Sequence, residues 1–117
     1  MEMKIRILDK QVTREELGRW ALEAHGDMIK AVVDVQREML AVGGELHSDA
    51  EAVLLEQNSR QEDLWGINLY PAKPVSDRIE YHSLINIKPR QKHSSMEIQD
   101  PGIRERISRI VNRWVDW

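Results

Sequence analysis

His47, Asp49 and Glu51 stand two residues apart in the stretch "GGELHSDAE", residues 43–51. An imidazole and two carboxylates are side chains that hold a divalent cation or pass a proton near neutral pH. On an extended strand such residues point to one side, each about 7 Å from the next. The spacing therefore predicts a polar face on which His47, Asp49 and Glu51 serve as metal ligands or as an acid–base set. Ligands must converge within about 2.0–2.6 Å of a bound ion, and one strand alone does not bring them that close. Asn68 in "WGINLY" and Asn86 in "LINIK" are the helpers such a site calls for, with Asp34 and Glu45 as weaker candidates. The plainer account of the same spacing is the wet face of a half-exposed antiparallel sheet, with Leu46, Ala50 and Ala52 alternating inward.

Other chemistry is narrower. The absence of cysteine excludes disulfides, thiolate zinc sites, iron–sulfur clusters and a cysteine nucleophile. Gly43 and Gly44 read as a bulge or tight turn, since no phosphate-binding glycine pattern surrounds them. Trp65 beside Gly66 can form an aromatic floor for a ligand, although its apolar neighbours on one strand face place it more simply in the core. Arg104, Arg106, Arg109 and Arg113, with Lys88, Arg90 and Lys92 upstream, can contact phosphates. A net charge of −3 and the lack of phenylalanine argue against nucleic acid as the expected partner. Trp114 and Trp117 offer apolar surface for a homodimer contact.

A chain of 117 residues, 41% hydrophobic and 32% charged, suits a single globular domain, residues 1–117. No apolar run approaches the roughly 20 residues of a membrane span, and a cytoplasmic location is expected. "MKIRIL" alternates Met3, Ile5 and Ile7 against charges, as a strand does. In "VTREELGRWALEAHGD", Thr13 and Glu16 have capping-box spacing. Leu17, Trp20, Ala21 and Ala24 then form one helical stripe, stopped at Gly26. "MIKAVVDVQREMLAVGG" fits a helix by period, yet Val32, Val33 and Val35 favour two strands joined near "QRE". "LHSDAEAVLLEQ" and "DLWGINLY" read as a hairpin joined by "NSRQE", and "PAKPVSD" as a surface loop. "RIEYHSLINIKP" reads as a strand ending at Pro89, and 89–99 as a mobile loop. "DPGIRERISRIVNRW" is a helix capped by Asp100, with Pro101 in its first turn. Its stripe is Ile103, Ile107, Ile110, Val111 and Trp114. The fold expected is α+β, a mainly antiparallel β-meander with the N-terminal and C-terminal amphipathic helices on one face.

At "GGELHSDAE", "QEDLWGINLYP", "LINIKPRQ" and "SMEIQDPGIRERI" the chain resembles a family of small uncharacterised prokaryotic proteins, a domain of unknown function. The likeness spans most of the chain. The family pattern is closer to "GGELHADAE", so Ser48 departs from it while His47, Asp49 and Glu51 match. In "FDSMINIRP", Asn86 and Pro89 match, whereas His82 and Lys88 depart. The resemblance implies a common structure and brings no activity, substrate or cofactor.

Two functional readings follow. The leading one is a non-catalytic binding or regulatory module, taking a small ligand or a protein partner on the polar sheet face with Asn68, Asn86 and Arg90. The alternative is a small metal-assisted hydrolase or nuclease, with a divalent metal at His47, Asp49 and Glu51.

Overall fold

The structure, a computed structural model, describes residues 4–117. It is an α+β domain whose main sheet has five antiparallel strands in the order β1-β4-β3-β5-β6. These are β1 (Ile5–Ile7), β3 (Ile29–Asp34), β4 (Met39–Gly43), β5 (Leu64–Leu69) and β6 (Ile79–Glu80). A separate parallel pair joins β2 (Val12–Thr13) to β7 (Val115–Asp116), bringing the start of the first helix to the end of the last. The strand order departs from a simple meander, because β4 leads through a helix to β5, which returns to pair with β3. Met3, expected in the first strand, lies outside the described residues.

Local chemistry explains most of the elements. Helix α1 (Arg14–Ala24) begins where the Thr13 hydroxyl accepts the Glu16 N–H at 3.1 Å, and Gly26 follows it at φ +89°. Helix α3 (Pro101–Trp114) starts at Asp100, whose carboxylate accepts from Gly102 and Ile103. The β-branched run at Val32, Val33 and Val35 resolves the ambiguous segment as β3 and β4, an antiparallel hairpin. Its turn is tied by Asp34, fully buried, whose Oδ1 accepts from the Gln36 and Arg37 N–H groups and whose Oδ2 accepts from Ser59.

The stretch read as a strand over "LHSDAEAVLLEQ" is a helix, α2 (His47–Glu56). Its one β-branched residue is Val53, and its alanines, leucines and glutamates are strong helix formers. Ala50 and Leu54, four apart, are its fully buried apolar contacts. With Val32, Ala41 and Leu64 they form a cluster on one side of the sheet. The opposite side carries Ala31, Val33, Leu40, Val42, Trp65, Ile67 and Leu69, clustered with Leu17 and Ala21 of α1 and Ile107, Ile110 and Val111 of α3. The face expected to be wet is thus covered by α2.

The second departure follows Pro71. "RIEYHSLINIKP" pairs as a strand only at Ile79 and Glu80. Beyond them, a short 3-10 turn (Leu84–Asn86) packs against β5. Gly66 permits that approach, since a Cβ there would lie 2.5 Å from the Ser83 side chain. Asn86, fully buried, then replaces a strand partner: its Oδ1 accepts the Gly66 N–H at 2.8 Å and its Nδ2 donates to the Gly66 carbonyl at 3.0 Å. The 89–99 stretch begins with a second 3-10 turn (Pro89–Gln91) and is tied down by a Lys88–His93 bridge and buried Ile98.

Candidate functional site

Because 47–56 is helical, the trio does not share a face. Residues four apart lie on one side of a helix and residues two apart do not. His47 and Glu51 accordingly turn inward and are buried, while Asp49 is exposed. Asp49 instead closes the first turn of α2, its carboxylate accepting the Leu46 N–H at 3.0 Å. Among the described residues, no three histidine, aspartate or glutamate side chains are grouped so as to hold a metal ion.

His47 leads into a cleft of about 270 Å³ between the start of α2 and the sheet. Its walls include Lys30 of β3, Asn68 of β5, and the residues Leu46, Ser48, His82 and Leu84. Lys30 and Asn68 are direct cross-strand partners in the β3–β5 register, so the ammonium and the amide share the face that α2 covers. The His47 Nε2 donates to the Ile67 carbonyl at 2.8 Å. Burial lowers the His47 pKa below the ordinary histidine range, and the charges of Lys30 and His82 push the same way. The Ile67 carbonyl and the Asn68 side chain oppose them. At neutral pH the ring is therefore neutral, and its donated Nε2–H leaves Nδ1 as an acceptor.

Asn68 is 6% exposed. Its Nδ2 donates to Glu80 Oε1 at 2.7 Å, which fixes the amide orientation because an amide oxygen cannot face a carboxylate oxygen. The opposite atom, Oδ1, is then a buried acceptor with no hydrogen-bond partner. Such an atom costs about 1–3 kcal/mol when unsatisfied.

One turn along α2, Glu51 faces a different group. Burial raises its pKa, against the pull of the Lys88 charge and of Gln61. Lys88, also buried, donates to the Gln61 carbonyl at 2.8 Å and lies 5.0 Å from the Trp65 ring centre. Burial lowers the Lys88 pKa, while Glu51, Asp63 and Glu62 hold it up. Lys88 and Arg90 line a second, wider cleft of about 650 Å³ with Gln61 and Ile87.

Of the residues expected to converge, His47 and Asn68 share a cleft, Glu51 sits one helical turn away, and Asp49 caps. Asn86 is spent on Gly66, and Arg90 borders the wider cleft. Asp34 holds a turn, and Glu45 is exposed beside the α2 start. Lys30 was missed by sequence reasoning. The one signal for it is a lone charge inside the apolar run "MIKAVV", at the period that also turns Val32 toward α2. The basic set is dispersed: Arg104 donates to the Ile98 carbonyl and Arg106 to the Val35 carbonyl. Trp114 donates to the Glu38 carbonyl and Trp117 to Asn112.

Fold and cleft together define a small α+β domain in which one helix, bearing a histidine, is laid over a sheet face that keeps a lysine and an asparagine. The family described as "Protein of unknown function (DUF5674)" matches residues 6–114, and the chain belongs to that family. No curated protein and no solved structure matches it.

Proposed function

We propose that this protein is a non-catalytic binding module whose ligand is a small polar molecule seated in the cleft between His47 and Asn68. The observation that carries the reading is the meeting of Lys30, His47 and Asn68 on one cleft under the start of α2, with the Lys30 ammonium, among the described residues, in no ion pair. A cleft that gathers an ammonium, an imidazole and an amide has the few convergent polar groups of a small-molecule site. The size supports this: about 270 Å³ lies just below the range of drug-sized sites and suits a metabolite. The trio does not form one catalytic set, because Asp49 is turned outward to the Leu46 N–H and Glu51 lies one helical turn from His47, beside Lys88.

A thermal-shift screen of small metabolites against the wild type and Asn68→Leu tests the reading. Leucine keeps the branched outline of the side chain and removes its polar atoms. Ligands should raise the melting temperature of the wild type and leave Asn68→Leu unmoved, with amide shifts at 46–48 and 68 in a ¹H–¹⁵N spectrum. An empty screen, or hits that stabilise both proteins equally, would reject it.

A further inference from the structure

We infer that the wider cleft holds a carbonyl-reactive lysine: Lys88 condenses with an aldehyde bearing a short hydrocarbon chain and keeps it as an imine. This site is separate from the His47–Asn68 cleft and does not rest on the binding reading above. Lys88 lines the cleft of about 650 Å³ and is only 7% exposed. A lysine so buried is almost never found without a carboxylate partner. Among the described residues Lys88 makes no ion pair, and its Nζ donates one hydrogen bond, to the Gln61 carbonyl at 2.8 Å. Gln61 lines the same cleft, so the amine is bonded to a residue of the cleft wall. That arrangement suits a neutral amine better than an ammonium. An ammonium has three N–H donors to satisfy, whereas the amine has two and an electron pair free to attack a carbonyl carbon.

Burial works in the same direction by lowering the Lys88 pKa, while the charges of Glu51, Asp63 and Glu62 oppose it. These carboxylates also separate a carbonyl ligand from an anionic one. An anion would meet Glu62 on the cleft wall and Glu51 and Asp63 near Lys88, with exposed Arg90 offsetting one of the three. An aldehyde is uncharged and meets no such repulsion. Once protonated, the imine is a cation in the place of Nζ, within the field of the same carboxylates and beside the Trp65 ring, whose centre lies 5.0 Å from Nζ. Ile85, Ile87 and Pro89 give the cleft its apolar wall, which favours a hydrocarbon chain on the aldehyde. The condensation balances without a further reactant. The amine nitrogen bonds to the carbonyl carbon as the carbonyl electron pair moves to oxygen, and the nitrogen gives up both its protons to that oxygen. The oxygen leaves as water, C=N remains, and the imine takes one proton from solvent.

The test treats the full chain with pentanal or acetaldehyde in the presence of sodium cyanoborohydride, which reduces each imine to a stable secondary amine, and locates the label by peptide mass spectrometry. The chain has six lysines, so the other five serve as references within each sample. At neutral pH and limiting label, Lys88 should react roughly ten-fold faster than their mean, and its advantage should be greater for pentanal than for acetaldehyde. Lys88→Arg keeps the charge and forms no imine, so the early label should disappear. Glu51→Gln removes a carboxylate that holds the proton on Lys88. The pH at which Lys88 reaches half its maximal rate should therefore fall, with the reference lysines unmoved. A circular dichroism melt confirms the folding of both variants. Lys88 reacting no faster than the references, or showing no preference for pentanal, would overturn the proposal. If Glu51→Gln does not fold, the wild-type profile decides: a Lys88 half-maximum at or above that of the references would overturn it as well.

Discussion

His47 is a titrating group whose folded environment disfavours its charge, and this gives the stability a signed pH dependence. Its folded pKa lies below the ordinary value of 6.5, so between those two values the unfolded chain binds more protons than the folded one. Stability must fall as the pH drops through 6.5 toward the folded value. Lys30 and His82 reinforce this, and the Ile67 carbonyl and Asn68 oppose it. Glu51, with its pKa raised by burial, contributes in the opposite sense, since its carboxyl loses stability as the pH rises. Comparison with His47→Gln removes the histidine contribution while leaving the Glu51 one. From about pH 7.5 to about pH 5.5 the wild type should lose more urea stability than His47→Gln, and equal losses would show that His47 does not titrate differently on folding. At Asn86 the expectation is simpler. Asn86→Ala leaves the Gly66 N–H and carbonyl and the Met96 carbonyl without that partner, at a fully buried position. The loss should be about 3 kcal/mol in equilibrium unfolding, and a cost below about 1 kcal/mol would mean that water replaces the amide.

At the scale of elements, the start of α2 combines a structural weakness with the proposed recognition. Leu46→Ser supplies the missing cap and should stabilise the protein by about 1 kcal/mol. The same hydroxyl competes with a cleft ligand for the first-turn N–H groups, so affinity for a hit from the metabolite screen should fall as stability rises. A stabilised variant with undiminished affinity would separate the helix start from the ligand. The turn at 84–86 makes a second test. Gly66→Ala drives a Cβ into Ser83 and should cost about 1–3 kcal/mol. Ser83→Gly should return part of that loss in the double variant, because the two atoms that collide belong to one contact. These two elements are also where sequence and structure part. The capped helices and the β3–β4 hairpin were legible, since Thr13, Asp100 and the valine cluster each act locally. Helix α2 was not, because the two-residue spacing of His47, Asp49 and Glu51 imitates a strand while Ala50 and Leu54 carry the helical burial. The strand expected over 78–89 failed for a related reason. Its apolar alternation was plain, but the buried residues there are Arg78, Ser83, Asn86 and Lys88, and the last two take their partners at distant Gly66 and Gln61. His47 and Asn68 were nameable from sequence as candidates. Their meeting depended on a helix crossing the sheet, which no local signal reports.

For the whole molecule, the sheet divides the interior unequally. Among the described residues, the side under α1 and α3 holds a cluster of eighteen buried hydrophobic residues and the side under α2 a cluster of five, so α2 is the thinner cover. The stabilisation of a buried helix scales with the apolar area it removes from water, and α2 adds to this a start with no side-chain cap from Leu46. Two of its inward residues, His47 and Glu51, are ionisable groups whose charged forms burial disfavours. Each of these effects lowers the free energy needed to open α2 without disturbing β3, which is paired on both edges by β4 and β5. Native-state hydrogen exchange should therefore rank the amides of β3 and of the α3 stripe near the global unfolding free energy. Those of α2 should exchange through a smaller local opening, with a weaker dependence on denaturant. A ligand that ties the α2 start to Lys30 and Asn68 binds only the closed form, so at one hundred times its dissociation constant it should raise α2 protection by about 2.7 kcal/mol, up to the limit set by global unfolding. Leu54→Ala should widen the gap between α2 and β3, and Ile107→Ala should lower both together. Protection of α2 equal to that of β3 in the unliganded protein would show that the two sides of the sheet open as one unit and that the cleft is a rigid feature of the fold.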